Sequence, residues 1–426
     1  MRGNLRKGLL FLRKCAIINL LKAIQLYKLK EYGYGGGKMK KNLQKCLALA
    51  MVGTMLFSVA SCGTNESDKD DGIILKDVQQ AKNVILLIGD GMGPEQIKAG
   101  ELFKGEKLAM QKFPYQTKVE TRSASDLITD SAAAATALAT GTRTSNGKVG
   151  QDVDSNELET IVDIAHGLGK RTGILATEEL YGATPMGFAG HSVARSNYKE
   201  LLTTAAKSSN VNLFASSKID TYYQDILTGE GYTLLKEADK ISEATEEKIF
   251  GSYTIWANYD SMMAEDANVA FDRLVTEALE YLSQDEDGFF LMAEGSHIDH
   301  GGHNNDICYM LEELIAFNDA VEAVLNWAKD RDDTVVLVTA DHETGGLELE
   351  EKTTHKIMHD VYMNYGLGDC YTWTSTGHTN TDVNLYINGA KIDFSKYYFE
   401  EGVKRIKNTD VFQIMKYLMV GENVAE

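Results

Sequence analysis

The chain has 426 residues, of which 43% are hydrophobic and 25% are charged, a composition typical of an ordinary globular protein. Residues 1–61 carry a net charge of +11, whereas the whole chain carries −19, so the rest of the chain is strongly acidic at −30. This acidity excludes nucleic acids and anionic membrane surfaces as binding partners, and an anionic substrate would require local cations.

A pattern typical of an export signal lies in the basic N-terminal region. The stretch "MKKNLQKCLALAMVGTMLFSVASC" begins at Met39, continues as an apolar run over 46–60 and ends in small residues before Cys62. The apolar run is short for a membrane span. Its end resembles a bacterial lipoprotein signal, in which lipid is attached to Cys62. A plain signal peptide with an incidental cysteine is the alternative.

These features divide the chain into four predicted segments. They are an upstream extension over 1–38, a lipoprotein signal peptide over 39–61, a flexible polar tether over 62–80 and a folded domain over 81–426. A genuine leader is the alternative for the extension. We therefore expect an exported protein that is anchored in a membrane through lipid on Cys62 and faces the periplasm or the cell exterior.

Beyond the tether, four apolar runs each end in chemically capable side chains. They are Val84–Ile88 before Asp90, Gly173–Ala176 before Thr177, Phe289–Ala293 before Glu294, and Thr334–Val338 before Asp341 and His342. Such runs, separated by helical patterns, predict an α/β fold with a doubly wound, mostly parallel central sheet and helices on both faces. Ligands bind beyond the carboxyl ends of such strands, so these side chains are expected to meet at one edge.

Two helices are predicted from their patterns. In "ITDSAAAATALATG", Asp130 or Ser131 is a candidate N-cap, and a nucleophile at the helix N-terminus is an equally open interpretation. In "CYMLEELIAFNDAVEAVLNWAKD", apolar residues recur at helical spacing, which predicts a core helix. Residues 197–287 carry no motif and are expected to add strands and helices to the same domain or to form a small insertion.

Potential metal ligands cluster in three later motifs. "AEGSHIDHGGH" contains Glu294, Asp299, His300 and His303, of which Asp299 and His303 share a face if the segment is helical. "TADHETGG" contains the adjacent Asp341 and His342, and "STGHTNTDV" contains His378. His378 alone is more typical of a loop residue, and a lone "GDGMG" around Asp90 is more typical of a turn.

The chemistry of these ligands predicts more than one ion. No CxxC motif exists, and only Cys62, Cys308 and Cys370 follow the signal; their spacing does not show whether the last two pair. Imidazole and carboxylate suit zinc, whereas a carboxylate and hydroxyl corner suits magnesium or calcium. There are too many ligands for one ion, so a two-metal site is predicted, as in phosphatases and nucleases.

As a set, six motifs resemble those of the alkaline phosphatases in order and approximate spacing. They are "GDGMG", "DSAAAATA", "ATPMGFAGHSVAR", "EGSHIDHGGH", "TADHETGG" and "GHTNTDV", and the resemblance covers most of residues 82–385. It implies a catalytic domain that hydrolyses phosphate monoesters. It also implies a phosphoserine intermediate on Ser131, with Arg195 binding the phosphate and Asp130 beside that arginine. A nearby cation would activate the weakly nucleophilic hydroxyl.

The resemblance also implies two zinc ions and one further ion, usually magnesium. The first zinc would be bound by Asp299, His303 and His378 and the second by Asp90, Asp341 and His342, with Thr184, Glu294 and a bridging Asp90 at the third site. His300 stands where family members carry Lys or His. It would contact the phosphate through water, adjust metal choice, or be a solvated loop residue. Family members are often dimers, so a homodimer is a further expectation.

One position departs from the family pattern. Members usually carry Asp or His two residues before the Thr of the Thr-Pro pair, whereas "YGATP" places Gly182 there. The third site thereby loses a group. Weak magnesium binding, a water in the gap or a different metal preference would each follow.

Two classes of rival function remain at the level of sequence. One is another hydrolase of the superfamily: a phosphodiesterase, or a sulfatase, whose C/S-x-P-x-R context "DSAAAATA" lacks. The other is a non-catalytic surface lipoprotein that binds metal or phosphate, which would have no use for Ser131 and Arg195.

Overall fold

The computed structural model describes residues 80–208, 210–256, 269–366, 368–389 and 405–421. All of them belong to one compact unit, Asp71–Glu426. The predicted extension, the signal peptide, Cys62 and the tether up to residue 79 lie outside the described residues. The helices that the structure describes include none with the length and apolar composition that a bilayer crossing requires.

The described strands form one large sheet and three small ones. In chain order they are β1 (Asn83–Gly89), β2 (Tyr115–Glu120), β3 (Arg171–Glu179), β4 (Leu213–Ser217), β5 (Thr233–Leu235), β6 (Ile249–Tyr253), β7 (Ile255–Trp256), β8 (Val269–Ala270), β9 (Phe289–Gly295), β10 (Thr334–Thr339), β11 (Glu343–Thr344), β12 (Leu347–Leu349), β13 (Tyr371–Trp373), β14 (His378–Thr379), β15 (Val383–Asn388) and β16 (Arg405–Lys407). The large sheet has the order β16-β2-β15-β10-β1-β9-β3-β4-β6-β5.

The described helices alternate with these strands along the chain. They are α1 (Pro94–Lys104), α2 (Ser131–Thr140), α3 (Ile161–Gly167), α4 (Ala183–Gly187), α5 (Tyr198–Ser208), α6 (Thr221–Gly229), α7 (Phe271–Leu282), α8 (His297–His303), α9 (Ile307–Ala328), α10 (His355–Met363) and α11 (Asn408–Val420), with short 3₁₀ turns at Met110–Lys112 and Ala238–Lys240.

The centre of the sheet is parallel and covered on both faces. Each neighbouring pair is parallel except the two pairs that β15 makes with β10 and β2. Every residue of β1 and β9 is buried, and successive residues point to opposite faces, so helices must cover both. Helices α9 and α11 both contact β1. The predicted doubly wound α/β fold is confirmed.

Register places the ends of the central strands at the same height. Ile88 of β1 pairs with Thr339 of β10 on one side and with Glu294 of β9 on the other. Glu294 in turn pairs with Ala176 of β3. The residues that follow these strands therefore share one edge of the sheet, named here the carboxyl edge.

Three local predictions are resolved by the structure. Helix α9 is a core helix as predicted, with seven apolar residues at helical spacing, of which six are buried and Leu325 is partly buried: Met310, Leu311, Leu314, Phe317, Val321, Val324 and Leu325. Strands β4, β5 and β6 lie in the large sheet, so the described part of 197–287 extends the same domain. Cys308 and Cys370 are unpaired.

Strand β3 is longer than the predicted run of Gly173–Ala176. It continues to Glu179, which pairs with Ser217 of β4 after a register shift. A backbone ladder does not depend on apolar side chains, so the polarity of Glu178 and Glu179 did not end the strand.

Candidate metal centre

Ser131 is the first residue of helix α2 and lies at the carboxyl edge. The Asp130 carboxylate caps the helix by accepting a hydrogen bond from Ala133 N at 3.0 Å. Ser131 is buried, and its Oγ lies 3.2 Å from His342 Nε2. The positive end of the helix dipole therefore points at the space beside this hydroxyl, an arrangement that favours an incoming anion.

Arg195 lies beside the same helix end. Its Nη1 lies 3.5 Å from Asp130 Oδ2, which also accepts a hydrogen bond from Gly147 N at 2.9 Å. The arginine side chain is 44% exposed, so its guanidinium remains accessible to a ligand. Asp130 thus serves as cap and as partner of Arg195, and the two interpretations of "DSAAAA" are compatible.

The first group of ligands combines α8 with the start of β14. Asp299 and His303 are one turn apart on α8, with Asp299 Oδ2 3.3 Å from His303 Nε2. His378 Nε2 lies 3.6 Å from Asp299 Oδ1. One ligand atom from each of the three residues lies within 4.8 Å of the others. We call this group triad A.

The second group follows the ends of β1 and β10. Asp90 Oδ1 and Asp341 Oδ2 lie 3.5 Å and 3.1 Å from His342 Nε2. The other oxygen of Asp341 accepts hydrogen bonds from Gly91 N at 3.2 Å and from His342 N at 2.9 Å, which fixes the carboxylate. All three side chains are buried, and their ligand atoms lie within 4.8 Å of one another. We call this group triad B.

The two triads touch each other. The rings of His342 and His378 stack with centroids 3.5 Å apart. Gly91, at a φ of +71°, turns the chain after β1 so closely that a Cβ there would lie 2.7 Å from Asp299 Cα. Glycine at this position is therefore required both by conformation and by contact.

Hydrogen bonds at Nδ1 orient the three histidines. Nδ1 of His303 and Nδ1 of His378 lie 2.6 Å and 2.8 Å from the carbonyl oxygens of Thr376 and Thr129. Carbonyls only accept, so each Nδ1 carries a proton. The Thr344 hydroxyl donates to Asp299 and must accept from His342 Nδ1, 3.2 Å away. In the neutral rings every Nε2 therefore presents a lone pair to the site, the form in which histidine binds metals.

This orientation places the Nε2 lone pairs of the histidines opposite carboxylate oxygens. Both groups accept hydrogen bonds and neither donates, so a proton or a metal ion is needed between them. At triad A a proton can meet this need, because the hydrogen bond to Asp299 raises the pKa of His303 to about 9 and also helps to lower the pKa of Asp299 against the effect of burial. At triad B, burial lowers the pKa of His342 well below its usual range, so the imidazole itself does not carry the proton. Asp90 Oδ1 and Asp341 Oδ2 accept no hydrogen bond from the described residues. The donor set fits metal ions.

Glu294 and Thr184 are buried and lie beside triad B. Neither oxygen of Glu294 nor the Thr184 hydroxyl makes a well-oriented hydrogen bond within the described residues, although the hydroxyls of Thr184 and Ser296 lie close enough to favour the charged carboxylate. Burial, the nearby Glu178 and the nearby Asp341 raise the pKa of Glu294 well above its usual range. Buried polar groups are normally satisfied, so these atoms also fit a cation.

The structure does not bring His300 into this cluster. Its side chain is exposed and its ring lies 4.9 Å from that of His297. Among the described residues, no hydrogen bond or ion pair joins it to Ser131 or Arg195. Its predicted role in phosphate binding stays a prediction.

Two residues of the centre were not predicted from the sequence. Thr344 was visible within "TADHETGG", where its hydroxyl could have been noted as a partner for the preceding His342. Glu178 follows the apolar part of β3 in the same way that Asp90 follows β1. The polar end of that run was the available signal.

Comparison with known proteins agrees with this geometry. The family model described as "Alkaline phosphatase" matches residues 81–255 and 258–364. The chain is 30% identical to alkaline phosphatase 3 of Bacillus subtilis strain 168 over 334 residues, which span 73% of this chain and 71% of the relative.

Solved structures give the same result. The alkaline phosphatase of the Antarctic bacterium TAB5 superposes with a TM-score of 0.68 at 28% identity, covering 80% of this chain and 98% of that chain. A histidine-to-glutamate variant of the same enzyme, with magnesium bound in its M3 site, gives 0.66 at 27%, covering 80% and 99%. The chain described here therefore belongs to the alkaline phosphatase family and is an enzyme of the alkaline phosphatase type.

Proposed function

We propose that this enzyme hydrolyses phosphate monoesters through a phosphoserine on Ser131, at a site that holds two zinc ions and a third, magnesium ion. The observation that carries the proposal is the position of Ser131 Oγ, at a buried helix N-terminus and 3.2 Å from His342 of triad B. Triad A and triad B would each hold one zinc ion, and Thr184, Glu294 and Asp90 would hold the third ion.

Bound cations would supply charge neutralisation for the phosphoryl group and lower the pKa of the serine hydroxyl and of water. The residues of the chain perform the rest. Ser131 Oγ loses its proton and forms a bond to phosphorus while the ester P–O bond breaks, and the departing alcohol oxygen gains a proton. A water molecule then attacks the phosphoserine, which returns the hydroxyl of Ser131 and releases inorganic phosphate.

Arg195 and helix α2 bind the phosphoryl oxygens during both steps. The planar guanidinium can donate to two of these oxygens at once. Asp130 restrains that guanidinium through the 3.5 Å ion pair and also anchors the helix start. These cations and dipoles offset the acidity of the protein at the one place where an anion must bind.

Acid trapping of the intermediate tests this mechanism. The zinc- and magnesium-loaded enzyme is mixed with a nitrophenyl monophosphate, quenched at low pH and digested, and phosphate is expected on Ser131. Ser131→Ala should lose the label and at least about 10³-fold in kcat. Ser216→Ala removes a buried serine hydroxyl in β4 and serves as the control. Label on another residue would refute the nucleophile.

Two rivals are decided by further assays. Faster turnover of the nitrophenyl bis-ester than of the monophosphate would assign the site to a diesterase. Phosphate binding without turnover, both after chelation and after zinc is added back, would assign the chain to the non-catalytic class.

We also propose that residues 81–426 form the catalytic domain and that residues 62–80 tether it to a membrane outside the cytoplasm. Support comes from the lipoprotein-like signal that ends at Cys62. Cys62→Ser should move the protein from the detergent phase to the aqueous phase, and unchanged partitioning would refute the anchor. A homodimer is proposed from family resemblance, and light scattering of the purified protein tests it.

A further inference from the structure

Backbone conformation does not require a glycine at residue 182. Its φ of −55° and ψ of 160° are open to any L-residue. A Cβ at this position, however, would lie 2.0 Å from Glu178 Oε1 and 2.8 Å from Glu178 Cδ. The carboxylate of Glu178 therefore occupies the volume that a side chain at residue 182 would take.

The end of β3 directs Glu178 towards the buried groups of the centre. Glu178 N donates to Ser296 Oγ at 3.3 Å, and Ser296 N donates to Thr177 Oγ1 at 2.8 Å. These bonds tie the end of β3 to the residue that follows β9. Glu178 is partly buried, and its carboxylate makes no hydrogen bond or ion pair in the described part of the chain.

Glu294, on strand β9 beside β3, is a buried carboxylate near Glu178. Glu294 is fully buried, and both of its oxygens lack a hydrogen bond within the described residues, as does the Thr184 hydroxyl. After burial, the charge of Glu178 contributes most to the raised pKa of Glu294. Two carboxylates that lie close together repel each other unless a cation lies between them. A buried hydroxyl oxygen nearby can bind the same cation.

We propose that Glu178 is a ligand of the third cation site, where its carboxylate replaces the group that family members carry at the position of Gly182. The inference rests on the proposed metal-dependent function. With Asp90, Glu294 and Thr184 it completes a donor set made only of oxygen. Such a set suits a hard cation, magnesium in the first place. Glycine at residue 182 and glutamate at residue 178 are then one coupled change.

The structure offers one competing role for Glu178. The guanidinium of Arg195 is close enough to favour the charged form of Glu178, so the carboxylate could position Arg195 instead. Arg195 has its ion pair with Asp130, however, and among the described residues no ion pair joins it to Glu178. The two roles predict different effects of replacing Glu178. A ligand of the cation site would lose Mg²⁺ affinity when replaced, whereas a residue that positions Arg195 would raise the KM for substrate.

Calorimetric titration of Mg²⁺ into the zinc-loaded enzyme tests the proposal, with zinc content measured in parallel. Glu178→Gln should weaken Mg²⁺ binding at least about tenfold and leave two zinc ions per chain. Glu179→Gln removes the neighbouring exposed charge and should bind Mg²⁺ within about twofold of the wild type. The double variant Glu178→Ser/Gly182→Asp moves the carboxylate to residue 182 and should restore binding.

Other outcomes overturn the proposal. In Glu178→Gln, these are a wild-type affinity for Mg²⁺ or a loss of zinc. A raised KM with unchanged Mg²⁺ affinity would instead assign Glu178 to the positioning of Arg195. In the double variant, the contrary outcome is that Mg²⁺ binding is not restored. A wild-type enzyme that takes up zinc but no Mg²⁺ also overturns it. Because phosphate trapping on Ser131 is independent of Mg²⁺ titration, failure of the proposed function is recognised separately.

Discussion

Thr344 joins the two triads through a single hydroxyl. It donates to Asp299 of triad A and accepts from His342 of triad B, so it holds one carboxylate and one imidazole in their metal-binding forms. Residues that orient ligands without touching the metal commonly change metal affinity when they are replaced.

Thr344→Val is expected to weaken zinc binding by roughly 10- to 100-fold, since the side-chain shape is kept and only the hydroxyl is lost. Zinc dissociation into a chromogenic chelator measures the effect. Thr353→Val makes the same change at a buried threonine bonded to Cys370 O, away from both triads, and should release zinc at the wild-type rate. Equal rates in the two variants would contradict the role of Thr344.

Arg195→Lys is expected to lower kcat/KM by roughly 10- to 100-fold, because a lysine replaces a planar, two-pronged donor by a point charge and loses one charge-assisted hydrogen bond. Steady-state kinetics with a nitrophenyl monophosphate measure the loss. The same change at Arg273, an exposed residue paired with Glu277 on α7, should have no effect. An unchanged kcat/KM would remove Arg195 from phosphate binding.

At the scale of elements, the site depends on close contact between α2 and α4. Helix α2 consists mainly of alanine, and all of its residues are buried. A Cβ at Gly187 of α4 would lie 2.5 Å from the Cβ of Ala135. Small residues on both sides let α4, which carries Thr184, pack closely against α2.

Gly187→Ala is therefore expected to destabilise the protein by about 1–3 kcal/mol, as overpacking of a dense core does. It should also weaken Mg²⁺ binding, since α4 carries Thr184. Gly167→Ala, in α3, meets no atom within 4 Å and should stabilise by about 0.5–1 kcal/mol. Urea unfolding of both variants measures the difference, and similar effects would contradict the packing argument.

At the scale of the whole molecule, the centre contains several buried carboxyl groups that affect the pH dependence of stability. Burial raises the pKa of Asp341 from 3.8 to about 7, and it raises the pKa of Asp90 and Glu294 well above their usual range. A raised acid pKa stabilises the folded protein fully below the unfolded value, and that stability is lost as pH rises through the folded value. The hydrogen bond to Asp299 raises the pKa of His303 from 6.5 to about 9, and this contribution is lost over that interval.

The melting temperature of the chelated protein is therefore expected to fall from about pH 6.5 to about pH 9, by an amount equivalent to a few kcal/mol. The zinc-loaded protein should fall much less, because bound cations favour the ionised carboxylates at high pH. Circular dichroism melts with a chelator and with zinc measure the two curves. Parallel curves would show that the acids of the centre do not control stability.

Much of the fold and of the metal centre could be predicted from the sequence. Continuous apolar runs predict buried parallel strands. Because the carboxyl ends of parallel strands lie at one edge of the sheet, the sequence predicts that Asp90, Asp341 and His342 meet. The end of β3 was predicted too early because strand pairing is made by backbone. His300 was grouped with the site by its motif and by family resemblance; its ring lies 4.9 Å from that of His297, and its role stays a prediction.

The sequence by itself determined the ligand types, their order along the chain and the strand ends that carry them, because these follow from residue chemistry and hydrophobic period. Tertiary structure alone decided which atoms meet. The link through Thr344, the dual role of Asp130 and the carboxylate of Glu178 above Gly182 each depend on side-chain direction and on contacts between distant segments. Such contacts arise only when the strands and helices pack, and no local pattern encodes them.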